Sequence, residues 1–453
     1  MGGMALQQAL WIKDPLAIFA EGAERGVVVE DGVITELVAA GRAPQRAGAT
    51  VFDAGAHVVL PGLINTHHHF YQTLTRSVPE VLDQDLFGWL GALYPIWARL
   101  APEALETAAT TAMAGLLLSG CTTTTDHHYV FPPGLEHAID CEVEVARKLG
   151  IRVVLTRGSM NRSRKDGGLP PDSIVQDEDT ILADSQRLIE TYHQAGPGAM
   201  VQIALAPCSP FSVTAGLMRE TAALAERFGV LLHSHVAETA DENRYCLEVY
   251  GCRPLDYLES SGWLASRVWI AHGIHFRDDE FARLARAGIA VTHCPCSNQS
   301  LASGHCRVWE YEQAGVCVGL GVDGSASNES SNLIEEVRAA WLFQRNYYGA
   351  KRITHLDALR WATEGSAACI RRADLGRIAE GGAADLALFK LDELRFAGHG
   401  DPIAALIRGG AHAADRVMVN GRWVVEDGRL PGLDLPALLE RQQRFARSLR
   451  AAL

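Results

Sequence analysis

The sequence predicts an α/β fold: a (β/α)8 TIM-like barrel with a small β-sandwich built from both termini. Three observations predict it. Eight short, mostly apolar runs alternate with helix-like segments through the middle of the chain. Short β-like runs broken by turn residues occupy both ends. Seven of the eight central runs are followed at once by histidines, carboxylates or other polar groups, and the remaining run ends in His293. A parallel barrel gathers its functional residues at the C-terminal ends of its strands, so this placement fits that architecture.

The elements follow in order. Leu10-Trp11-Ile12, Gly26-Val27-Val28-Val29 and Val33-Ile34-Thr35 are strand-like and are separated by Lys-Asp-Pro and Glu-Asp-Gly turns. The eight central runs are Val58–Leu60, Thr122–Thr125, Val153–Leu155, Val201–Leu205, Val230–Leu232, Val268–Ile270, Ile289–Val291 and Val316–Leu320. Helical patterns such as Ala104–Leu118, Leu217–Phe228 and Asp279–Ala287 lie between them. The β texture returns at Ala384–Phe389 and Arg416–Val419, where Asn420-Gly421 signals a hairpin into Trp423-Val424-Val425. The expected organisation is residues 1–60 as the first part of the sandwich, 61–374 as the barrel, and 375–453 as the rest of the sandwich with a terminal helix.

Composition narrows the class. Lys plus Arg is 41 against 54 for Asp plus Glu, a formal balance of −13. An acidic surface disfavours nucleic acid and anionic membrane, and no basic-aromatic interleaving is present. No apolar stretch reaches the roughly 18 residues of a membrane span. The opening residues Met1 to Gln8 lack the charged and apolar regions of a secretory signal, so the expected compartment is the cytoplasm. The 10 cysteines are scattered through apolar runs and do not form a disulfide framework. Cys294-Pro295-Cys296 lacks a second thiol pair and reads as small apolar residues in a loop.

The strand ends carry a metal-binding pattern. In Pro61-Gly62-Leu63-Ile64-Asn65-Thr66-His67-His68-His69, positions i and i+2 of an extended segment share a side, so His67 and His69 can reach one ion and His68 points away. His233-Ser234-His235 repeats the arrangement; His235 is the expected ligand and His233 a supporting group. Glu238, three residues on, suits proton transfer. Asp323, closing the eighth run, can bind the ion and accept a proton from water. His272, after the sixth run, can steady a developing oxyanion; His275 reads as packing or site in equal measure. The fourth run ends in Ala206-Pro207-Cys208 with no lysine to bridge two ions, which argues for one metal.

These residues resemble the amidohydrolase superfamily, in its guanine, cytosine, S-adenosylhomocysteine and triazine hydrolase branch. The strings Pro61-Gly62-Leu63-Ile64-Asn65-Thr66-His67-His68-His69, His235-Val236-Ala237-Glu238-Thr239 and Gly321-Val322-Asp323-Gly324-Ser325 carry the match. Within that branch the chain is most similar to the bacterial 8-oxoguanine deaminases, through His69 to Arg76, Asp126-His127-His128-Tyr129, Leu155 to Met160, Ala206 to Ser212 and Asp323 to Asn328. The resemblance implies hydrolysis of 8-oxoguanine to urate and ammonia, one Zn2+ per subunit (with Fe2+ as the alternative), and a homodimer or higher homo-oligomer. The expected division of labour has Asp323 taking a proton from the attacking water, Glu238 protonating the ring nitrogen and His272 holding the attacking oxygen. Gln72 stands where a relative's glutamine touches the substrate carbonyl. Trp89 or Trp97, in the long loop after the first run, is a candidate to cover the ring, and Arg157 to face a substrate oxygen.

The stretch His293-Cys294-Pro295-Cys296-Ser297-Asn298-Gln299-Ser300 departs from the family pattern, in which Cys-Pro-Ser-Ser-Asn is usual. It is expected at the mouth of the site, where it bears on the choice of ring and leaves the chemistry alone. Isocytosine, guanine and pterins are alternative rings. A triazine hydrolase expelling chloride or an amine is an alternative reaction, and a non-catalytic assembly protein an alternative class.

Overall fold

The computed structural model describes residues 9–451. The opening residues weighed as a secretory signal, 1–8, lie outside that range. No helix among the described residues is long and apolar enough to cross a membrane.

Eight parallel strands form the centre: β1 (Leu63–Asn65), β2 (Cys121–His128), β3 (Arg152–Ser159), β4 (Val201–Pro207), β5 (Leu232–Val236), β6 (Val268–His272), β7 (Ala290–His293) and β8 (Val318–Leu320). Each pairs with the next in sequence, and β8 returns to the first strand's end through Thr66, whose N–H donates to Leu320 O at 3.0 Å. The barrel interior holds apolar residues from alternate positions, among them Ile64, Val154, Ala204 and Trp269. The neighbouring positions, such as Val153 and Leu155, face outward into the helix-covered core.

The first central run does not belong to the barrel. His57–Pro61 pairs antiparallel with Leu386–Lys390 in a five-stranded sheet, and the barrel starts at Leu63. Apolarity alone cannot separate the two segments. Gly62 marks the switch: a Cβ there would lie 2.2 Å from Thr122 Oγ1, so only glycine lets the chain cross β2 so closely. A four-stranded sheet from Leu10–Lys13, Gly26–Glu30, Val33–Leu37 and Thr50–Asp53 packs on the five-stranded one. Ile12, Val27 and Ile34 meet Val59, Leu386, Leu388 and Met418 between them. The hairpin at Asn420-Gly421 has φ of 48° and 77° at its two turn residues, the primed geometry that matches strand twist.

The segment after β1 is not an open loop. It forms a short 3-10 helix (Phe70–Thr75) and then α1 (Leu86–Trp97), whose N-cap Asp85 accepts from Gly88 N–H. The His293–Ser300 stretch likewise folds, from Pro295 to Ser300, as a short helix. Cys294 is buried there, while Cys296 N–H donates to Glu336 Oε1 at 2.9 Å.

Candidate metal centre and active-site cavity

Asp323 reaches the first strand through a short parallel bridge beyond β8: Asp323 and Gly324 lie opposite His68 and His69. Asp323 Oδ1 is 3.3 Å from His67 Nε2 and 3.2 Å from His69 Nε2. His69 Nε2 is 3.2 Å from His235 Nε2. The imidazoles of residues 67, 69 and 235 and the carboxylate of Asp323 therefore converge at one point from three strand ends.

The outer face of each ring is fixed. His69 Nδ1–H donates to His127 O at 2.8 Å and His235 Nδ1–H to Cys208 O at 2.6 Å. His233 Nδ1–H donates to Trp269 O at 2.9 Å, which leaves its Nε2 to accept from His67 Nδ1–H at 2.8 Å. A carbonyl only accepts, so these contacts set the tautomers and turn the Nε2 atoms of His67, His69 and His235 toward the common point. Burial drives His67, His233 and His235 well below the ordinary imidazole pKa.

This donor set fits a cation. His67 Nε2 is fully buried with no hydrogen-bond partner. The ring nitrogens of residues 67, 69 and 235 lie within 4.8 Å of one another. Ligands about 2.0–2.1 Å from a shared tetrahedral ion stand roughly 3.3 Å apart, which is the spacing seen here.

The two acids beside this point are pushed apart. Burial raises Glu238 well above the usual carboxylate range, and nearby Asp323 adds to it. Burial acts on Asp323 too, but His67, then His69 and His272, outweigh it and hold its pKa well below the ordinary value. His272 Nε2 lies 3.5 Å from Glu238 Oε2 and 3.9 Å from Asp323 Oδ2. The backbone is left-handed at Ala237 (φ 55°), His272 (φ 70°) and Asp323 (φ 60°). Each costs ~1–3 kcal/mol for a non-glycine residue, and all three fall at strand ends that carry these groups.

The cavity next to the centre is lined by Gln72, Trp89, Glu238, His272 and Asp323 among others. Gln72 is buried with both amide atoms unpartnered. Its place depends on Gly324, where a Cβ would sit 1.8 Å from Gln72 Oε1. Trp89 presents its ring to the cavity and anchors its indole N–H on Ala326 O at 3.1 Å. Leu86, Trp89, Leu90 and Tyr94 share one face of α1 and cover the cavity. Trp97 packs behind them against Tyr71 and Trp89.

Arg157 is not brought to the cavity. It shares the outward phase of β3 with Leu155, donates to Asp184 Oδ2 (2.9 Å), Gln176 Oε1 (2.7 Å) and Gly158 O (2.6 Å), and stacks on Phe131. His68 turns from the centre and accepts from His69 N–H, and burial lowers its pKa to about 3. His275 is tied to Ser303 O, while His127 stacks on His235.

Four residues were not read as site residues from the sequence. Ser297 Oγ–H donates to Asp323 Oδ2 at 2.6 Å, and Asn298 Oδ1 accepts from His272 Nδ1–H at 3.0 Å. The 293–300 stretch therefore holds two of the candidate catalytic side chains, Asp323 and His272, in place and is not confined to the mouth. Its polar pair Ser297-Asn298, just past Cys294-Pro295-Cys296 at the seventh strand end, was the available signal. Glu242 accepts from the backbone N–H of Ala237 (2.8 Å) and of Glu238 (3.0 Å), fixing the turn that carries the acid. Tyr129 lines the cavity against the edge of His69.

Residues 58–424 match the amidohydrolase family. The chain is 59% identical over 442 residues to an 8-oxoguanine deaminase of Pseudomonas aeruginosa, covering 97% of this chain and 98% of that one. It is 37% identical to an isoxanthopterin deaminase from an unknown prokaryotic organism, over 91% of this chain and 89% of the relative. Among solved structures, an atrazine chlorohydrolase of Arthrobacter aurescens TC1 complexed with zinc superposes with a TM-score of 0.91 at 30% identity, covering 96% of this chain and 100% of that one.

Proposed function

The chain belongs to the amidohydrolase family, and on that premise we propose that it is a hydrolytic deaminase converting 8-oxoguanine and water to urate and ammonia. The observation that carries the reaction type is Glu238: a buried carboxyl at the cavity, 3.5 Å from His272 Nε2, whose pKa burial raises while the imidazoles beside Asp323 lower that of the second acid. An amino leaving group must be protonated to depart, whereas a halide need not be, so a neutral acid there favours deamination over dechlorination. The choice of ring is supported by the 59% identity that spans nearly the full length of the Pseudomonas enzyme.

His67, His69, His235 and Asp323 would hold one Zn2+ per chain, as the zinc complex of the atrazine chlorohydrolase supports. When bound, the ion supplies Lewis acidity that brings a water's pKa toward about 7. Asp323, kept anionic, takes the proton of the attacking water. Glu238 donates to the ring nitrogen next to the amino-bearing carbon, so negative charge does not build on the ring; the proton taken up by Asp323 then passes to the amino group, which leaves as ammonia, and the added hydroxyl returns a proton to Glu238 as the carbonyl forms. His272, oriented by Asn298, steadies the incoming oxygen through Nε2. Gln72 offers an amide donor and acceptor to the ring's polar edge, and Trp89 covers its face. The 10 free cysteines suit a reducing cytoplasm, and the working unit is proposed as a homodimer.

The test is ammonia release from 8-oxoguanine, isocytosine, isoxanthopterin and a chloro-triazine side by side. The highest kcat/KM is expected for 8-oxoguanine, with urate as product. Faster turnover of the triazine with chloride release would refute the proposal.

A further inference from the structure

A second cluster of ionisable groups lies behind the metal centre. Asp126 and His128 from β2 and Glu142 from α2 (Ala138–Leu149) are all fully buried, with their ligating atoms within 4.8 Å of one another. None of them lines the cavity, and the deamination chemistry makes no use of them. Asp126 Oδ1 accepts from Phe70 N–H at 2.6 Å. Phe70 is the first residue of the 3-10 helix whose N-cap is His69, and no side chain of that cap serves the helix's free N–H groups. The next residue on β2, His127, takes the His69 ring proton on its carbonyl. One strand end thus grips His69 from both sides, by its ring and by the peptide that follows it.

We propose that Asp126, backed by Glu142 and His128, is a positioning residue: it anchors the Phe70 amide and so fixes the metal ligand His69 and the substrate-facing Gln72 as one rigid turn. The proposal rests on the reading of His69 as a ligand. The proton arrangement follows from the contacts. His128 Nε2 faces Val130 O at 2.8 Å and carries a ring proton; with burial favouring the neutral ring, Nδ1 accepts a proton from Glu142 Oε1, 3.0 Å away. Asp126 Oδ2 and Glu142 Oε2 have no other donor, so the two carboxyls meet across a second shared proton. In this arrangement the trio carries no net charge, which suits its complete burial. Burial accordingly raises Asp126 and Glu142 and lowers His128 to about 4. Asparagine at 126 reproduces this pattern, with an oxygen for Phe70 and an N–H in place of the shared proton. Alanine removes the anchor.

The experiment compares zinc-loaded wild type, Asp126→Asn and Asp126→Ala by the rate of zinc loss to a chelator, by kcat and KM for ammonia release, and by Tm. Asp126→Ala should lose zinc about 10- to 100-fold faster, with KM raised as well as kcat lowered. Asp126→Asn should stay within about threefold of wild type in each readout. Three results would overturn the proposal: Asp126→Ala with unchanged zinc retention and kinetics, Asp126→Asn as impaired as Asp126→Ala, or two zinc ions per wild-type chain. If Asp126→Ala does not fold, zinc retention by Asp126→Asn decides the matter alone. A wild-type enzyme without metal or deaminase activity would fail the functional reading instead; the Tm difference between the two variants would still report the anchor.

Discussion

At the scale of single residues, Glu238 and Asp323 show how one cavity assigns opposite roles to two carboxyls. Both are buried, but Asp323 has His67, His69 and His272 around it to offset the loss of water, whereas Glu238 has His272 alone and the charge of Asp323 against it. Glu238→Gln should retain metal and slow turnover about 100-fold or more. Unimpaired turnover in that variant would show that the acid lies elsewhere. The wild-type pH profile carries the same signature. On this reading Glu238 acts in its protonated form, and its raised pKa carries that form to higher pH than an ordinary carboxyl allows. Activity should therefore persist above the usual carboxylate range and fall as pH rises through the raised pKa and the acid loses its proton. A kcat/KM that keeps climbing with alkalinity would contradict this. Gly324 offers a second residue-scale test, because its missing Cβ is the space Gln72 occupies. Gly324→Ala should raise KM about tenfold by displacing the amide, a loss of about 1.4 kcal/mol in binding. Unchanged KM would remove Gln72 from the substrate.

At the scale of elements, strand phase separates what the sequence could convey from what it could not. His67 and His69 were legible because the i, i+2 spacing itself declares a shared side; the same spacing puts His233 and His235 on one side, and it is the contact of His233 Nε2 with His67 Nδ1 that marks His233 as the support. Arg157 was not, because Val153-Val154-Leu155 is apolar at every position and gives no phase. The structure puts Leu155 and Arg157 on the outer face, against Asp184. Arg157→Met should leave KM unchanged and lower stability. Removing one partner of a buried pair costs ~3–5 kcal/mol, and here less, since Asp184 keeps Arg187. Thermal unfolding beside steady-state kinetics checks both halves, and a raised KM at normal Tm would return Arg157 to the site. Ser297, Asn298 and Glu242 act through contacts set by tertiary structure, 26 residues in sequence from Asp323 and His272 in the first two cases and by a turn back onto Ala237 in the third. Ligand types at strand ends announce themselves; the groups that orient them do not.

At the scale of the whole molecule, the sheets from the two ends are tied to the barrel that bears the chemistry. Arg152 on β3 donates to both carboxylate oxygens of Asp385 across a fully buried contact, and Asp385 also receives Asn420 N–H from the hairpin turn. The C-terminal helix Leu435–Arg450 sends Gln442 Nε2–H to Thr73 O at 2.9 Å, inside the short helix that holds Gln72. The barrel and the β-rich ends were readable from alternation and turn chemistry. The point where one gives way to the other was not, since it depends on Gly62 passing Thr122 at close range. The account rests on one ion gathered from three strand ends, and anomalous diffraction from zinc-loaded crystals tests it most directly. One peak is expected, within about 2.0–2.2 Å of the Nε2 atoms of His67, His69 and His235 and of a carboxylate oxygen of Asp323. A peak at some other cluster, or an ion bound by the imidazoles with Asp323 turned away, would contradict it.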